Sequence, residues 1–197
     1  MHIHLIRLMV RAIKKPILIS LVGLYSLLIT THAHSIDVGK VAPSFELSGN
    51  VSGNGNGSKN AATVSLQQFQ GKVIYLDFWA SWCGPCKQSF PWLNEMQSKY
   101  GSQGFQVVAI NLDVKLTDVQ DFLKSQTAKF VIAFDSQSVT PKAYGIKGMP
   151  SSFLIGKDGR ILSQHTGFRE SDKSTLETHI QMALGIKKNE LEKYAAQ

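Results

Sequence analysis

The chain has 197 residues, enough for one domain with tails, and 43% of them are hydrophobic, which is ordinary for a protein with a packed core. Its formal net charge is +7, but four of the 21 basic residues lie in the first 15 positions, which contain no acidic residue. Without residues 1–33, the chain has 17 basic and 14 acidic residues, and the basic ones are scattered. This distribution argues against a nucleic-acid-binding surface, and we expect no nucleic-acid partner.

The N-terminus has the three parts of an export signal. A basic stretch ends at Lys15, and an uncharged apolar run of about 14 residues follows at 16–29. Thr31-His32-Ala33 then places small residues at the two positions that a signal peptidase recognises. The run is shorter than the roughly 20 residues that span a bilayer as a helix. We predict that residues 1–33 are a cleaved signal peptide, with an uncleaved membrane anchor as the alternative, and that the protein works in a bacterial periplasm.

Residues 34–185 alternate between strand and helix patterns, and we interpret them as one domain followed by a polar tail at 186–197. Short apolar runs rich in β-branched and aromatic residues predict strands at 42–47, 62–66, 73–79, 105–112, 130–134, 152–155 and 160–163. Apolar residues at helical spacing predict helices around Phe90, Leu93, Met96 and Tyr100, around Val119, Phe122 and Leu123, and around Leu176, Ile180 and Ala183. A further short helix is expected at 139–144.

Local signals support several of these boundaries. Thr117 and Gln120 form a capping-box pattern that predicts the start of the second helix. Residues 48–60 are rich in Gly, Asn and Ser, which predicts a loop that joins the first two strands into a hairpin. An Asp158-Gly159 turn predicts a second hairpin near the end. The whole pattern predicts an α/β domain with a central mixed sheet flanked by helices.

The two cysteines of the chain, Cys83 and Cys86, are separated by two residues. A bridge that closes so short a loop removes little entropy from the unfolded chain, so we interpret the pair as chemical rather than structural. The pair follows a predicted buried strand and opens a helix, where free N–H groups stabilise a thiolate at Cys83. Pro85 suits the first helical turn because its missing N–H would be unpaired there. We predict that Cys83 is exposed and attacks a substrate disulfide, and that buried Cys86 resolves the mixed disulfide.

A zinc site is the competing interpretation of a C-x-x-C pair. The chain has no second cysteine pair, and His165 and His179 lack the spacing of metal ligands. We interpret both histidines as surface or packing residues. We therefore expect no metal and no cofactor other than the Cys83–Cys86 disulfide itself.

Two segments carry a family resemblance. Residues 78–87, FWASWCGPCK, resemble the active-site segment of thioredoxin, and residues 144–150, YGIKGMP, resemble its cis-proline segment. The match spans roughly residues 40–185. The strand-forming extension at 42–47 and the helix-plus-strand stretch at about 115–134 are similar to the exported TlpA/ResA-like branch. The resemblance implies a thioredoxin fold with an N-terminal strand or hairpin extension and a helix–strand insertion before the cis-proline segment.

The resemblance also implies roles for individual residues. Met149-Pro150 would be a cis peptide facing the cysteines, and the backbone of Met149 would pair with the substrate chain. Trp82 would offer an apolar surface for a docking protein, beside the Gly84-Pro85 dipeptide that thioredoxin also has. Asp77 would match the buried acid of thioredoxin, whose pKa is raised by desolvation and which takes the proton of Cys86 during resolution. The alternative for Asp77 is a strand-end carboxylate that reaches solvent.

Two positions depart from the family patterns. The lysine near the buried acid of thioredoxin aligns with Ala109, which predicts a less well supported Asp77 anion. The acid that many TlpA/ResA-like proteins have three residues after the second cysteine is Ser89 here. That difference weakens any specific inference from members that act in cytochrome c maturation, although apocytochrome thiols remain a possible target class.

A protein-disulfide reductase is the predicted function, recharged by a membrane electron donor of thiol type. We expect protein disulfides as substrates and a monomeric chain. A peroxiredoxin is disfavoured because its reactive cysteine follows Thr or Ser by three positions, where this chain has Ala80. A copper-delivery module of Sco type is disfavoured, because it needs a C-x-x-x-C spacing and a partner histidine, whereas this chain has C-x-x-C. The intact WCGPC motif argues against a redox-inert binding module.

Overall fold

The computed structural model describes residues 38–50 and 62–186. It contains one seven-stranded sheet in the order β2-β1-β5-β4-β3-β6-β7. The strands are β1 (Glu46–Asn50), β2 (Ala62–Ser65), β3 (Val73–Trp79), β4 (Phe105–Asn111), β5 (Val131–Phe134), β6 (Ser151–Ile155) and β7 (Ile161–Thr166). The helices are α1 (Gly84–Tyr100), α2 (Leu116–Ser125), α3 (Val139–Ala143) and α4 (Lys173–Leu184). The predicted mixed α/β sheet flanked by helices is confirmed.

The sheet is mixed because its three inner strands are parallel and its outer strands are not. The β3–β4 and β4–β5 pairs are parallel, whereas β6 and β7 add antiparallel on one side and β1 and β2 on the other. Parallel neighbours need a crossover, and α1 and α2 supply it. Both predicted hairpins are therefore present, and the N-terminal one extends the sheet beyond β5.

Two apolar clusters cover the two faces of this sheet. The larger cluster packs α1, α2 and α4 on one face and includes both cysteines, Trp79 and Phe90. The other face is covered by the chain around Ala42 and Phe45 and by Tyr144 after α3. Strand β3 lies inside the sheet and is buried on both faces, which explains why its residues are apolar except for one acid, Asp77.

The first predicted strand, at 42–47, is wrong in its position, since β1 begins at Glu46. Ala42 and Phe45 are buried against the sheet face rather than in the sheet. The carbonyl of Pro43 accepts a 2.7 Å hydrogen bond from the Tyr144 hydroxyl, which holds this segment across the face. Apolar residues packed on a sheet face have the same composition as a strand, so the pattern could not separate them.

The predicted capping box is also wrong. Helix α2 begins at Leu116 with Lys115 as N-cap, and no side chain caps it. Thr117 therefore lies inside the first turn, where its hydroxyl donates to Asp118 Oδ1 at 3.4 Å. Asp118 is an acid in the first turn, where its negative charge interacts favourably with the positive end of the helix dipole. The predicted apolar face of Val119, Phe122 and Leu123 is buried as expected.

Several predictions fall on residues that the structure does not describe. The proposed signal peptide or anchor at 1–33, most of the loop at 48–60 and the tail from residue 187 belong to this group. Within the described ranges, no helix has the length and apolarity needed to cross a membrane.

Gly49 allows β1 to lie close to the backbone of β5 and to the side chain of Val64 in β2. A Cβ atom at Gly49 would lie 2.5 Å from the Ile132 carbonyl oxygen and 2.6 Å from Val64 Cγ2. We expect Gly49→Ala to lower the free energy of unfolding by about 1–3 kcal/mol, because the backbone of β5 cannot yield without losing its pairing. Urea unfolding of the disulfide form measures the change. Gly148→Ala is the control, since nothing lies within 4 Å of its Cβ position; equal stability of the two variants would contradict the prediction.

Candidate active site

The turn from β3 into α1 places the two cysteines. Cys83 is the N-cap residue of α1, and its Sγ accepts a 3.3 Å hydrogen bond from the backbone N–H of Cys86. The two residues form a disulfide with their Cα atoms 5.2 Å apart. Pro85 lies in the first helical turn, as the sequence predicts. The helix N-terminus thus directs a backbone donor at one of the two reactive sulfurs.

The accessibility of the pair differs from the prediction in one respect. Cys86 is fully buried, as expected, but Cys83 keeps an exposed fraction of only 5%. In the oxidised form its sulfur is turned toward Cys86 and packs in the same apolar cluster. Gly84 and Pro85 are exposed beside it, and Trp82 is 70% exposed. The surface next to Cys83 is therefore formed by Trp82, Gly84 and Pro85.

The proline segment lies on the same face of the sheet as the cysteines. The Met149-Pro150 peptide is cis, as the resemblance implies. Met149 is partly buried against the apolar cluster that contains both cysteines. The segment is fixed from both sides, because Ser151 Oγ donates to the Gly148 carbonyl at 2.7 Å and the Gly167 N–H donates to the Pro150 carbonyl at 2.8 Å.

Asp77 is buried rather than at the solvent. It is 2% exposed, and its Oδ2 has no hydrogen-bond partner among the residues that the structure describes. Side chains alternate along a strand, so Asp77 points to the same face as Tyr75 and Trp79, which pack with the cysteines. Burial raises the pKa of the Asp77 carboxyl well above its ordinary value. The alternative of a strand-end carboxylate in solvent is therefore wrong.

The two positions that differ from the family patterns, Ala109 and Ser89, both lie beside the site. Ala109 of β4 lies directly opposite Asp77, so that side of the acid is apolar. Ser89 is buried, and its hydroxyl donates back to the Cys86 carbonyl at 2.9 Å. Neither position offers Asp77 or the cysteines a charged neighbour.

A second polar group fixes the turn before the cysteines, and the sequence analysis missed it. The Asp113 carboxylate accepts from the Ser81 N–H at 2.8 Å and from the Ser81 hydroxyl at 3.0 Å. Asn111 Nδ2 also donates to it at 2.8 Å, so the end of β4 holds the turn after β3. The available signal was an Asn and an Asp, two residues apart, at the carboxyl end of a strand parallel to β3.

Tyr75 and Ser152 are the other polar pair that sequence reasoning missed. The Tyr75 hydroxyl donates to Ser152 Oγ at 2.8 Å in a buried bond on the Asp77 face. Ser152 lies directly opposite Asp77 on β6. Both positions look like ordinary strand residues in the sequence, because only the register between β3 and β6 brings them together.

The sequence matches a known protein family and curated proteins that have thiol–disulfide chemistry. The family model described as Redoxin matches residues 37–180. The thiol-disulfide oxidoreductase ResA of Bacillus thuringiensis subsp. konkukian (strain 97-27) is 34% identical over 150 residues, which are 76% of this chain and 80% of that protein.

Two solved structures show the same fold. A candidate thiol:disulfide interchange protein DsbE from Chlorobium tepidum is 53% identical, with a TM-score of 0.70 over 76% of this chain and 99% of that one. The thioredoxin domain of a thiol-disulfide oxidoreductase from Bacteroides vulgatus is 23% identical, with a TM-score of 0.63 over 74% of this chain and 99% of that one. The predicted thioredoxin fold is confirmed.

The raised pKa of Asp77 predicts how stability depends on pH. The unfolded carboxyl titrates at about pH 3.9, and burial raises the pKa of the folded one above that value. The folded chain therefore keeps a proton that the unfolded chain has lost, and this contribution to stability disappears as pH rises toward the folded pKa. We expect Asp77→Asn to gain stability over the wild type with rising pH, by at most about 1.4 kcal/mol per pH unit.

Urea unfolding of the disulfide form between about pH 4 and pH 8 measures this difference. Asp121→Asn is the control, because it makes the same substitution at a side chain that is 73% exposed. A difference between Asp77→Asn and wild type that stays constant with pH would contradict the prediction.

Proposed function

Because the chain belongs to the Redoxin family and is a thiol–disulfide oxidoreductase of the ResA type, we propose that it reduces protein disulfides outside the cytoplasm. One observation carries the proposal. Cys83 is the N-cap residue of α1, and its sulfur accepts a hydrogen bond from the Cys86 N–H, while the Cys86 side chain is fully buried. Of the two cysteines, only Cys83 keeps any exposed surface. The geometry thus supports one attacking and one resolving thiol.

In the proposed cycle, the Cys83 thiolate attacks a substrate disulfide and releases the first substrate thiol. The Cys86 N–H and the helix dipole favour that thiolate in the reduced form. Cys86 then loses its proton and attacks Cys83 Sγ, so the second substrate sulfur leaves as a thiolate. The products are a reduced substrate and the Cys83–Cys86 disulfide, which is the form that the structure contains.

Asp77 is the proposed proton acceptor for Cys86. A carboxyl with a raised pKa is matched to a proton transfer near neutral pH, whereas an ordinary Asp would be too weak a base. Its location supports this role, since the carboxyl points to the face where Cys86 is buried. With Ala109 opposite, no lysine compensates the anion, so desolvation dominates its titration.

Substrate docking is proposed at Trp82 and at the Met149 backbone. Trp82 has an exposed indole directly before Cys83, and aromatic side chains supply large contact areas at low entropic cost. The cis peptide turns the backbone of Met149 beside the cysteine cluster. An extended polypeptide could pair with that backbone while its disulfide reaches Cys83, which favours protein substrates over small thiols.

The direction of the reaction follows from what surrounds Cys83. A strong oxidant over-stabilises its reduced form through an acidic attacking thiol. The Gly84-Pro85 dipeptide places no cation between the cysteines, and Lys87 is exposed beyond them. We therefore propose a reductant. In an oxidising compartment it must be recharged, for which we propose a membrane electron donor of thiol type.

The remaining proposals concern context. The N-terminal sequence supports export to a periplasm, with residues 1–33 as signal peptide or anchor. The disulfide itself supplies the redox chemistry, so we propose that no further cofactor takes part. We propose oxidised cysteine pairs of apocytochrome c, which reduction converts to thiols, as one substrate class, and we propose a monomeric chain.

The division of labour between the cysteines predicts an order of alkylation. In the reduced chain we expect iodoacetamide to modify Cys83 first across pH, because it alone combines access with a thiolate-stabilising donor. Peptide mapping after partial labelling identifies the residue. Cys86→Ser should accumulate mixed disulfides with substrates, and Cys83→Ser should form none. Preferential labelling of Cys86 would contradict the assignment.

The proposed direction predicts a reducing potential. Equilibrium titration against glutathione should give a midpoint potential of about −250 mV, close to the roughly −270 mV of thioredoxin. An insulin-reduction assay with dithiothreitol should show turnover, and the Cys83→Ser variant is its negative control. A midpoint more positive than about −180 mV would make the chain an oxidant or an isomerase instead.

A further inference from the structure

A buried carboxylate lies beside the turn that presents Cys83. Asp113 is 6% exposed and follows the end of β4. Its Oδ2 accepts from the Ser81 N–H and from Asn111 Nδ2, each at 2.8 Å, and its Oδ1 accepts from the Ser81 hydroxyl at 3.0 Å. All three partners donate, which suits a carboxylate because an ionised carboxyl group only accepts hydrogen bonds. A negative charge is therefore held next to the turn.

The path from this charge to Cys83 is short. The Cys83 N–H donates to the Ala80 carbonyl at 3.1 Å, so residues 80–83 form a closed turn. The Ala80 carbonyl oxygen and the Ser81 nitrogen belong to one peptide group, and the Ser81 nitrogen lies 2.8 Å from Asp113 Oδ2. Standard bond lengths then place the Asp113 carboxylate within about 8 Å of the Cys83 nitrogen and within about 12 Å of its sulfur.

Hydrogen-bond donors alone balance the Asp113 charge within the described residues. The ion pairs of this part of the chain involve other acids. Lys115 and Asp118 follow Asp113 along the chain, and both are exposed. From β5 comes a second buried acid, Asp135, whose carboxylate accepts from two backbone N–H groups at the start of α3. The carboxyl ends of β4 and β5 thus carry buried negative charge without a buried cation.

The other charged groups around Cys83 are either exposed or protonated more readily than usual. Helix α1 contributes Lys87 and the cis-proline segment contributes Lys147, and water screens both because they are exposed. Strand β3 contributes Asp77, whose pKa is raised by burial. Helix α2 adds only apolar side chains to the cluster around the cysteines. Asp113 differs from the lysines because its field reaches Cys83 through protein rather than through water.

We propose that the Asp113 carboxylate opposes formation of the Cys83 thiolate and thereby favours a reducing potential. A negative charge raises the free energy of a nearby thiolate, whereas the disulfide is uncharged and is little affected. The reduced form then becomes less stable relative to the disulfide, which is the opposite of what makes a strong oxidant. Asp113 is a positioning residue, because it bonds to Ser81 and Asn111 and acts on the reaction through Cys83. The proposal rests on the attacking role of Cys83 proposed above.

Asp113→Asn separates the charge from the hydrogen bonds. Asparagine has nearly the same shape, and its oxygen in the place of Oδ2 can accept from the Ser81 N–H and from Asn111. Its amide nitrogen in the place of Oδ1 can donate to the Ser81 hydroxyl, which accepts equally well. The variant keeps the three contacts and loses the negative charge. A purely structural role of Asp113 therefore predicts no change in the Cys83 thiolate or in the potential.

The reduced full-length chain is alkylated with iodoacetamide across pH, and peptide mapping follows Cys83. We expect Asp113→Asn to shift the pH profile of Cys83 alkylation to lower pH by about 0.3–1 pH units. At about pH 8, the equilibrium with glutathione should move toward the reduced form by about twofold to tenfold, which is at most about 30 mV. Asp118→Asn is the matched control, because it removes the same charge from an exposed site that water screens, and it should change neither value.

Val114→Lys keeps the test valid if Asp113→Asn does not fold. Val114 is 81% exposed and adjacent to Asp113, so a lysine there brings a cation close to the carboxylate without entering the core. It should move the alkylation profile and the glutathione equilibrium in the same direction as Asp113→Asn. Val114→Gln, which adds a side chain of similar length without charge, should leave both as in the wild type.

An Asp113→Asn chain with the alkylation profile and glutathione equilibrium of the wild type would overturn the proposal. A shift of either value in the opposite direction would overturn it as well. Both readouts are differences between variants. A wild-type chain with the potential of an oxidant would therefore overturn the reductase proposal and leave this comparison valid, and labelling of Cys86 before Cys83 would show that the assignment of the attacking thiol had failed.

Discussion

The burial of β3 on both faces is the constraint on which the rest of this structure depends. All seven of its residues are buried, and its backbone is paired on both sides by β4 and β6. A strand held in this way cannot shift along its axis without losing two ladders of hydrogen bonds, so the turn that follows it is fixed. The same burial removes water from Asp77, which gives an ordinary carboxyl an unusual affinity for protons. Position and acidity of the site thus have one common cause.

The site is assembled from neighbouring strands rather than from one motif. The cysteines come from the turn after β3, the Asp113 carboxylate that holds this turn comes from the end of β4, and the cis-proline segment precedes β6. In a sheet with parallel inner strands, these carboxyl ends and the start of an antiparallel strand meet at the same edge. The local chemistry of Cys83 therefore depends on long-range pairing, since α1 could not present its N-terminus in this way as an isolated segment.

The sequence predicted the elements and the reactive pair because both depend on local patterns. The β3 run, the apolar face of α1 and the WCGPC motif identify themselves within a few residues, and all of them are found where expected. Prediction was wrong where one pattern has two structural outcomes: the 42–47 run packs on the sheet face, and Thr117 lies inside a helix instead of capping it. The exposure of Cys83 was misjudged, because in the disulfide form this residue packs in the apolar cluster and keeps only 5% exposure. Tyr75, Ser152 and Asp113 were missed because strand register, which no local pattern specifies, brings them to the site.

The N-terminal hairpin determines which strand forms the edge of the sheet beyond β5. Strand β1 pairs along β5, a four-residue run of Val, Ile, Ala and Phe that is almost wholly buried. Without β1, the unpaired N–H and C=O groups of this apolar strand would form the edge of the sheet, and such an edge is a template for pairing with another chain. Its replacement at the edge is β2, which is only four residues long and has exposed residues at Ala62 and Thr63. The extension thereby replaces an apolar edge strand with a short, partly polar one. Pairing of this edge with another chain becomes less favourable, so the segment that enlarges the fold also lowers its tendency to aggregate.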